Sequence, residues 1–314
     1  MSSLAEQAVD AIHAVAGRHP GHRAAHAKGI LVSGRFTAAP EAAALTRAGH
    51  MQGEPVDVTA RFSNGSGNPN QPDFANDGRG FAVKFYLPDG SRTDIVSLSL
   101  PCFFVRTPED FVKFTRVQKP SPRSGKPRPL RVLGFLLRHR EALPAVRGFQ
   151  AQKPPASYAT VVYNSIHSFK WLDADGGERF VRYRWVPEAG EESITKEEAK
   201  SRGADYLQDE IRTRLEQGPV RFRLQVRLAA DGDAVDDPTK AWPESRETVE
   251  VGVLELTGLD TTREQGGDVL VFDPMRVTDG IEPSADPILH FRRAAYDVSV
   301  QRRAGVGLAD TGKA

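Results

Sequence analysis

A chain of 314 residues and 34.4 kDa, 39% hydrophobic and 26% charged, has the make-up of a globular protein with enough length for an extensive core. That composition excludes collagen-like, disulfide-rich, disordered and multi-spanning membrane classes, and no apolar run approaches the roughly 20 residues of a bilayer span. With 42 cations against 41 acids the net charge is +1, so the whole-chain balance predicts neither a nucleic-acid nor a membrane partner and directs attention to a local site.

An amphipathic pattern predicts a helix over Leu4 to Ala16. Because Glu6 and Asp10 fall in a stretch with no basic start and no long apolar core, it does not read as a signal peptide. Strand-like runs follow at Gly29–Phe36, Val56–Phe62, Phe81–Leu87 and Thr93–Leu98, expected to be antiparallel neighbours. Between the second and third, residues 63–80 are crowded with Asn, Gly, Pro and Asp, a long irregular loop of the sort that often carries function. A helix is predicted from Pro108 to Val117, then an exposed crossing rich in Pro, Lys and Arg, then a helix over Arg131 to Leu143. Strands return at Tyr158–Tyr163, Ser168–Leu172, Arg179–Trp185, Val220–Leu228 and Thr248–Thr257, with a helix over Thr195 to Glu216 among them. Asp286-Pro287 supplies an N-cap and a first-turn proline for a last helix reaching Arg303. Many strands with few helices predict an α+β fold built on an antiparallel barrel or large curved sheet. With no internal repeat, one continuous domain with helical insertions is expected.

The lone Cys102 sits in the apolar stretch Leu100–Phe104, and a reducing compartment, hence the cytoplasm, is the expectation. Arg outnumbers Lys by 31 to 11. That bias suits bidentate capture of carboxylates but fits a biased base composition equally.

On the last helix Arg292 and Tyr296 are four apart and share a face, so the guanidinium can reach the phenolic oxygen. A permanent cation there favours phenolate, an anionic donor able to hold ferric iron, and tyrosinate is one of the few axial ligands used for haem. Taken alone the pair equally describes a surface Arg stacked on a Tyr. Near the other end, the segment Arg23–Gly29 places His26 among small neighbours at the entrance to the first strand, where an imidazole could shuttle a proton. A single histidine without a partner specifies no reaction and reads as readily as structural.

Seven motifs occur in order: Arg23-x-x-His26-Ala-Lys-Gly29, Arg61-Phe62-Ser63, Arg79-Gly-Phe-Ala-Val-Lys-Phe-Tyr86, Asp237-x-Thr-Lys-x-Trp242-Pro243, Phe272-Asp273-Pro274, Gly280-Ile281-Glu282 and Arg292-x-x-x-Tyr296. In this order the chain resembles the haem catalase superfamily, specifically its short members, the catalase-related peroxidases, over nearly its whole length from Arg23 to Arg303. The resemblance implies a catalase-type antiparallel β-barrel core with helical insertions and a C-terminal haem-ligand helix. It divides the chain into an amino-terminal helix and lead-in (1–22), a haem-binding core (23–303) and a flexible tail (304–314). By the same resemblance Tyr296 is the axial ligand of the iron and Arg292 keeps it ionised. His26 is the distal acid–base and Ser63 the hydroxyl that orients it. Arg23, Arg61 and Arg303 hold the propionates of haem b, Phe111 stacks on the porphyrin, and His167 lies near the propionate side. For Phe111 and His167 core packing is an equal alternative.

One departure stands out. Catalases carry an Asn beside the distal histidine, where this chain has Leu98 followed by Ser99. Without that amide a second peroxide is less well oriented for oxidation to dioxygen. The resemblance therefore implies a haem peroxidase that reduces hydrogen peroxide or organic hydroperoxides with a small organic donor, has weak or no catalase activity, and works as a homodimer. A haem carrier or sensor without turnover, and a haem enzyme that rearranges hydroperoxides, are the alternatives. Ligation through Cys102 is weaker, since no cation beside it would hold a thiolate.

Overall fold

The computed structural model describes residues 2–121, 124–125, 128–261 and 269–307. In chain order its helices and strands are α1 (Leu4–Ala16), β1 (Gly29–Ala38), α2 (Pro40–Ala43), β2 (Val56–Asn64), β3 (Arg79–Tyr86), β4 (Arg92–Leu98), α3 (Pro108–Val117), α4 (Pro129–Arg138), α5 (Leu143–Ala151), β5 (Tyr163–Asn164), β6 (Phe169–Leu172), β7 (Glu178–Pro187), α6 (Lys196–Ser201), α7 (Tyr206–Gln217), β8 (Val220–Leu228), β9 (Thr248–Leu259), β10 (Ile281–Pro283) and α8 (Pro287–Ala304).

Eight antiparallel strands close into a barrel in the order β7-β5-β4-β3-β2-β1-β9-β8, sealed by the β7–β8 pairing, while β6 and β10 extend the sheet from β7. Register follows side-chain chemistry because successive residues face opposite sides. Along β3, Phe81, Val83 and Phe85 turn into the barrel and pack with Phe36, Phe62, Trp185 and Phe222. Gly80, Ala82 and Lys84 turn outward, opposite Leu98, Val96 and Asp94 of β4. The outer face of β1 to β4 is thus a second, smaller-residue surface, which α8 and the 269–277 segment cover.

That cover is anchored by a buried ion pair. Lys84 donates to both oxygens of Asp94 (2.6 and 2.9 Å), and Asp94 also accepts from Arg276 (2.7 Å) and the backbone N–H of Asp273 (2.8 Å). A buried lysine needs this many compensating contacts. They hold Phe272 against the barrel.

Three predicted elements differ. The expected strand over 158–163 is a 3₁₀ turn at Tyr158–Thr160, capped by Ser157, followed by the two-residue β5. Its alternating Tyr158 and Tyr163 are buried because they plug the barrel, not because they form a ladder. The helix expected over 195–216 is two helices, α6 and α7, parted at Gly203 with φ +103°, a conformation glycine adopts freely. The helix expected over 131–143 ends at Arg138, and α5 starts afresh with Pro144 in its first turn, where the missing N–H costs nothing. The last helix carries the cap the sequence predicts: Asp286 accepts from the N–H groups of Ile288 and Leu289, and Gly305 ends it at φ +71°. Of the expected tail, residues 308–314 lie outside the described residues.

Candidate active site

Between the outer barrel face, α1, α3 and α8 lies a cavity of about 1350 Å³ measured out to its mouth. His26, Ser63, Arg23, Arg61, Phe111, Arg292, Tyr296 and Arg303 all line it. Residues at opposite ends of the sequence meet here because the barrel brings the start of β1 beneath α8.

On one side stands His26. Its backbone N–H donates to Gly65 O (3.1 Å) and the next N–H to Ser66 O (2.9 Å), pinning a sharp turn in which His26 adopts φ +54°, the only non-glycine residue in the left-handed region among the described residues. Such a conformation costs on the order of 1 kcal/mol or more and persists only where surroundings enforce it. His26 Nδ1 lies 3.0 Å from Ser63 Oγ. With Nδ1 engaged by the hydroxyl, Nε2 is the nitrogen left for another partner. Burial, reinforced by the charges of Arg61, Arg292 and Arg23, pulls the imidazole down to about 3 from its ordinary 6.5, so it is neutral at pH 7. Gly80, on the facing strand, makes room for it. A Cβ there would lie 2.7 Å from Ser63 Oγ and 2.8 Å from His26 Nδ1.

Across the cavity, on α8, Arg292 Nε donates to Tyr296 Oη at 3.0 Å and a second guanidinium N–H donates to the same oxygen. Two donors on one oxygen and a fixed positive charge complement a phenolate. The rim gathers cations: Arg23 and Arg303, 280 residues apart, both donate to the carbonyl of Leu270 (3.0 and 3.3 Å), and Arg61 reaches Ala27 O (3.3 Å). Gly29 gives Arg61 its space, since a Cβ would meet the guanidinium at 2.6 Å. Most of the remaining wall is apolar, including Val96, Leu98, Phe103 and Phe272, with Ser97 and Ser299 its further polar residues and Phe111 stacked parallel on Phe103 at 6.2 Å.

The remaining predicted residue lies elsewhere. His167 is fully buried behind the wall, its Nδ1 2.6 Å from Asp286 Oδ2, and its neighbour Ile166 is the residue that lines the cavity. It therefore braces the N-cap of α8 instead of reaching the propionate side. Burial holds its imidazole at about 4. Ser99 is also occupied elsewhere, accepting from Arg79 N–H and Gln152, which leaves Leu98 as the side chain at the position of the missing amide. Cys102 is buried outside the cavity lining, and burial pushes its thiol up. The sequence reading missed Ala8, Val9 and Ile12, by which α1, read as a lead-in, forms part of the wall. Their i, i+4 spacing on an amphipathic helix was the available signal.

A largely apolar cavity lined also by three arginines, a phenol oxygen and a neutral imidazole fits a metalloporphyrin carrying two carboxylates. The catalase family model matches residues 6–310. The chain belongs to the catalase family. Proteins of this family bind haem. Among relatives, the chain is 48% identical to a catalase-related peroxidase of Mycolicibacterium paratuberculosis (96% of this chain, 95% of the relative) and 35% identical to one of Synechococcus elongatus (95% and 88%). A crystal structure of a fungal catalase superposes with a TM-score of 0.82 at 26% identity, covering 94% of this chain and 62% of that one. The closed antiparallel barrel with its helices is the catalase fold.

Proposed function

We propose that this catalase-family protein is a haem b peroxidase, reducing hydrogen peroxide or organic hydroperoxides at the expense of a small organic donor and dismutating peroxide weakly. The observation that carries the reading is the meeting, in one cavity, of Arg292–Tyr296 on α8 with His26–Ser63 at the barrel. Tyr296 would hold the iron through its phenolic oxygen, and Arg23, Arg61 and Arg303 would hold the propionates. When bound, the haem would supply the redox-active iron for peroxide reduction.

The chain's own residues manage the proton. Neutral His26, its Nδ1 fixed by Ser63, accepts a proton at Nε2 from one peroxide oxygen and returns it to the other, which makes the departing oxygen a better leaving group. A weakly basic imidazole gives the proton back readily. Arg292 directs two N–H donors at the Tyr296 oxygen, an arrangement that suits an anionic ligand atom. A carrier without turnover has no use for an oriented, strained imidazole, which is what sets the peroxidase reading above it. A homodimer and the cytoplasm, the latter read from the single buried thiol, complete the proposal.

Leu98 is where the proposal makes its sharpest demand. With an apolar side chain in place of the amide, a second peroxide loses that orienting group, so donor oxidation outruns dioxygen release. Leu98→Asn is expected to raise the ratio of dioxygen release to donor oxidation by roughly tenfold or more, measured with an oxygen electrode against a chromogenic donor. An unchanged ratio would contradict the role given to this position.

A further inference from the structure

The net charge of +1 is an average over a lopsided distribution. Between Phe111 and Arg140 the sequence holds nine cations and no acid, so the rest of the chain carries −8. On α4, in the last third of this stretch, Leu130, Leu133 and Leu137 are 80%, 52% and 66% exposed and account for three of the four large hydrophobic side chains exposed among the described residues. At helical spacing they fall within roughly 60° of one another and form one stripe. Arg131 and Arg138 lie together along one side of it, and Lys119, Arg131, Arg138 and Arg140 are exposed with no carboxylate partner among the described residues. Glu141, the first acid beyond, is engaged by His139 at 3.0 Å. The opposite face of α4 is committed to the fold, with Phe135 packed on Phe114 and stacked on His139.

We propose that α4 is a docking surface for anionic lipid membranes, its three leucines entering the headgroup region while the surrounding arginines and lysines meet lipid phosphates. Leucines between cations are the pattern of an interfacial helix. A second copy of the chain is a poor occupant, because a two-fold contact through this face would set the exposed cations Lys119, Arg131, Arg138 and Arg140 against their own copies. A nucleic-acid backbone would leave the leucines without a partner. The surface therefore reverses, for this segment, the expectation drawn from whole-chain charge. Docking here is independent of the catalytic reading, since none of these residues lines the cavity.

The test is flotation of the full-length, haem-loaded protein with phosphatidylglycerol-rich vesicles and with pure phosphatidylcholine vesicles, at low and high salt. The proposal expects binding to the anionic vesicles that weakens with salt and falls about tenfold or more in the triple variant Leu130→Ser, Leu133→Ser, Leu137→Ser, whose solvent-exposed substitutions should leave the melting temperature close to wild type. Arg131→Glu with Arg138→Glu should weaken it by a comparable factor. Absence of binding to anionic vesicles, or equal binding by the serine variant, would overturn it. So would a serine variant that merely converts a dimer to monomer in sedimentation, or tighter binding to duplex DNA than to vesicles.

Discussion

The two sides of the cavity hold their reactive groups by different means. Tyr296 and Arg292 are placed by helical periodicity alone: four residues along one well-capped helix, their contact needs nothing beyond the spacing. His26 is placed by everything except its local sequence. Its backbone is in a conformation histidine rarely takes, its turn is pinned by carbonyls 39 and 40 residues away, its Nδ1 is met by Ser63 from β2, and its space is cut out by Gly80 from β3. An intrahelical pair tolerates changes around it, whereas a group assembled from a turn, a loop and two strands is sensitive to each of them.

This contrast can be broken most directly by removing the distal group itself. His26→Ala is expected to keep haem, because nothing on the Tyr296 side depends on it, while peroxide reduction falls by about 10²-fold or more, the scale of losing a general acid–base. Steady-state donor oxidation with haem content measured in parallel checks it, and a variant that retains full activity would show that the imidazole moves no proton.

A smaller intrusion sharpens the comparison. Gly80→Ala puts a methyl where Ser63 and His26 now stand, so the pair must shift by a few tenths of an ångström. A loss of about tenfold in turnover is expected with the haem spectrum little changed, misplacement being costly even when no group is lost. An alanine variant as active as wild type would mean that the orientation of His26 is not held by this contact.

How much of this was legible beforehand follows the same division. The Arg292–Tyr296 pair and the caps of α8 were readable because a helix turns sequence spacing into geometry, and strands β1 to β4 because alternation fixes their faces. His26 and Ser63 were found through their motifs, but not the strained turn or Gly80, which exist only once strands are paired. For His167 the core-packing alternative is the one the structure shows: at the bend of Ile166 and His167, Ile166 lines the cavity while His167 takes Asp286, a division that spacing does not reveal. The break between α6 and α7 hangs on one glycine, which periodicity averages away. The acidic remainder and the basic stretch 111–140 disappeared in the same fashion into a net charge of +1.

The smallest expected effect lies inside the barrel, away from both sides of the cavity. His50 is fully buried among Phe36 and Phe85, with neither ring nitrogen partnered among the described residues, and burial holds it near 3. Its folded value lies below the ordinary 6.5, so the neutral form is favoured on folding. The stability this represents is fully present above pH 6.5 and is lost as pH falls toward 3. His50→Phe removes both unpartnered nitrogens and the titration. A gain of about 1 kcal/mol at pH 7 is expected, widening by up to ~3 kcal/mol toward pH 4, read from denaturant melts across that range. Parallel curves for the two proteins would contradict the assignment.

The central claim is that the phenolic oxygen of Tyr296 grips the haem iron. Titration of the haem-free protein with haemin, followed by gel filtration and absorption spectroscopy, tests it directly against Tyr296→Phe. The account predicts one haem retained per wild-type chain with a ferric spectrum, and loss of roughly 10²-fold in haem affinity, with an altered spectrum, for a variant that remains folded by circular dichroism. A variant that retains haem fully with an unchanged spectrum, or a wild-type protein that emerges colourless, would contradict it.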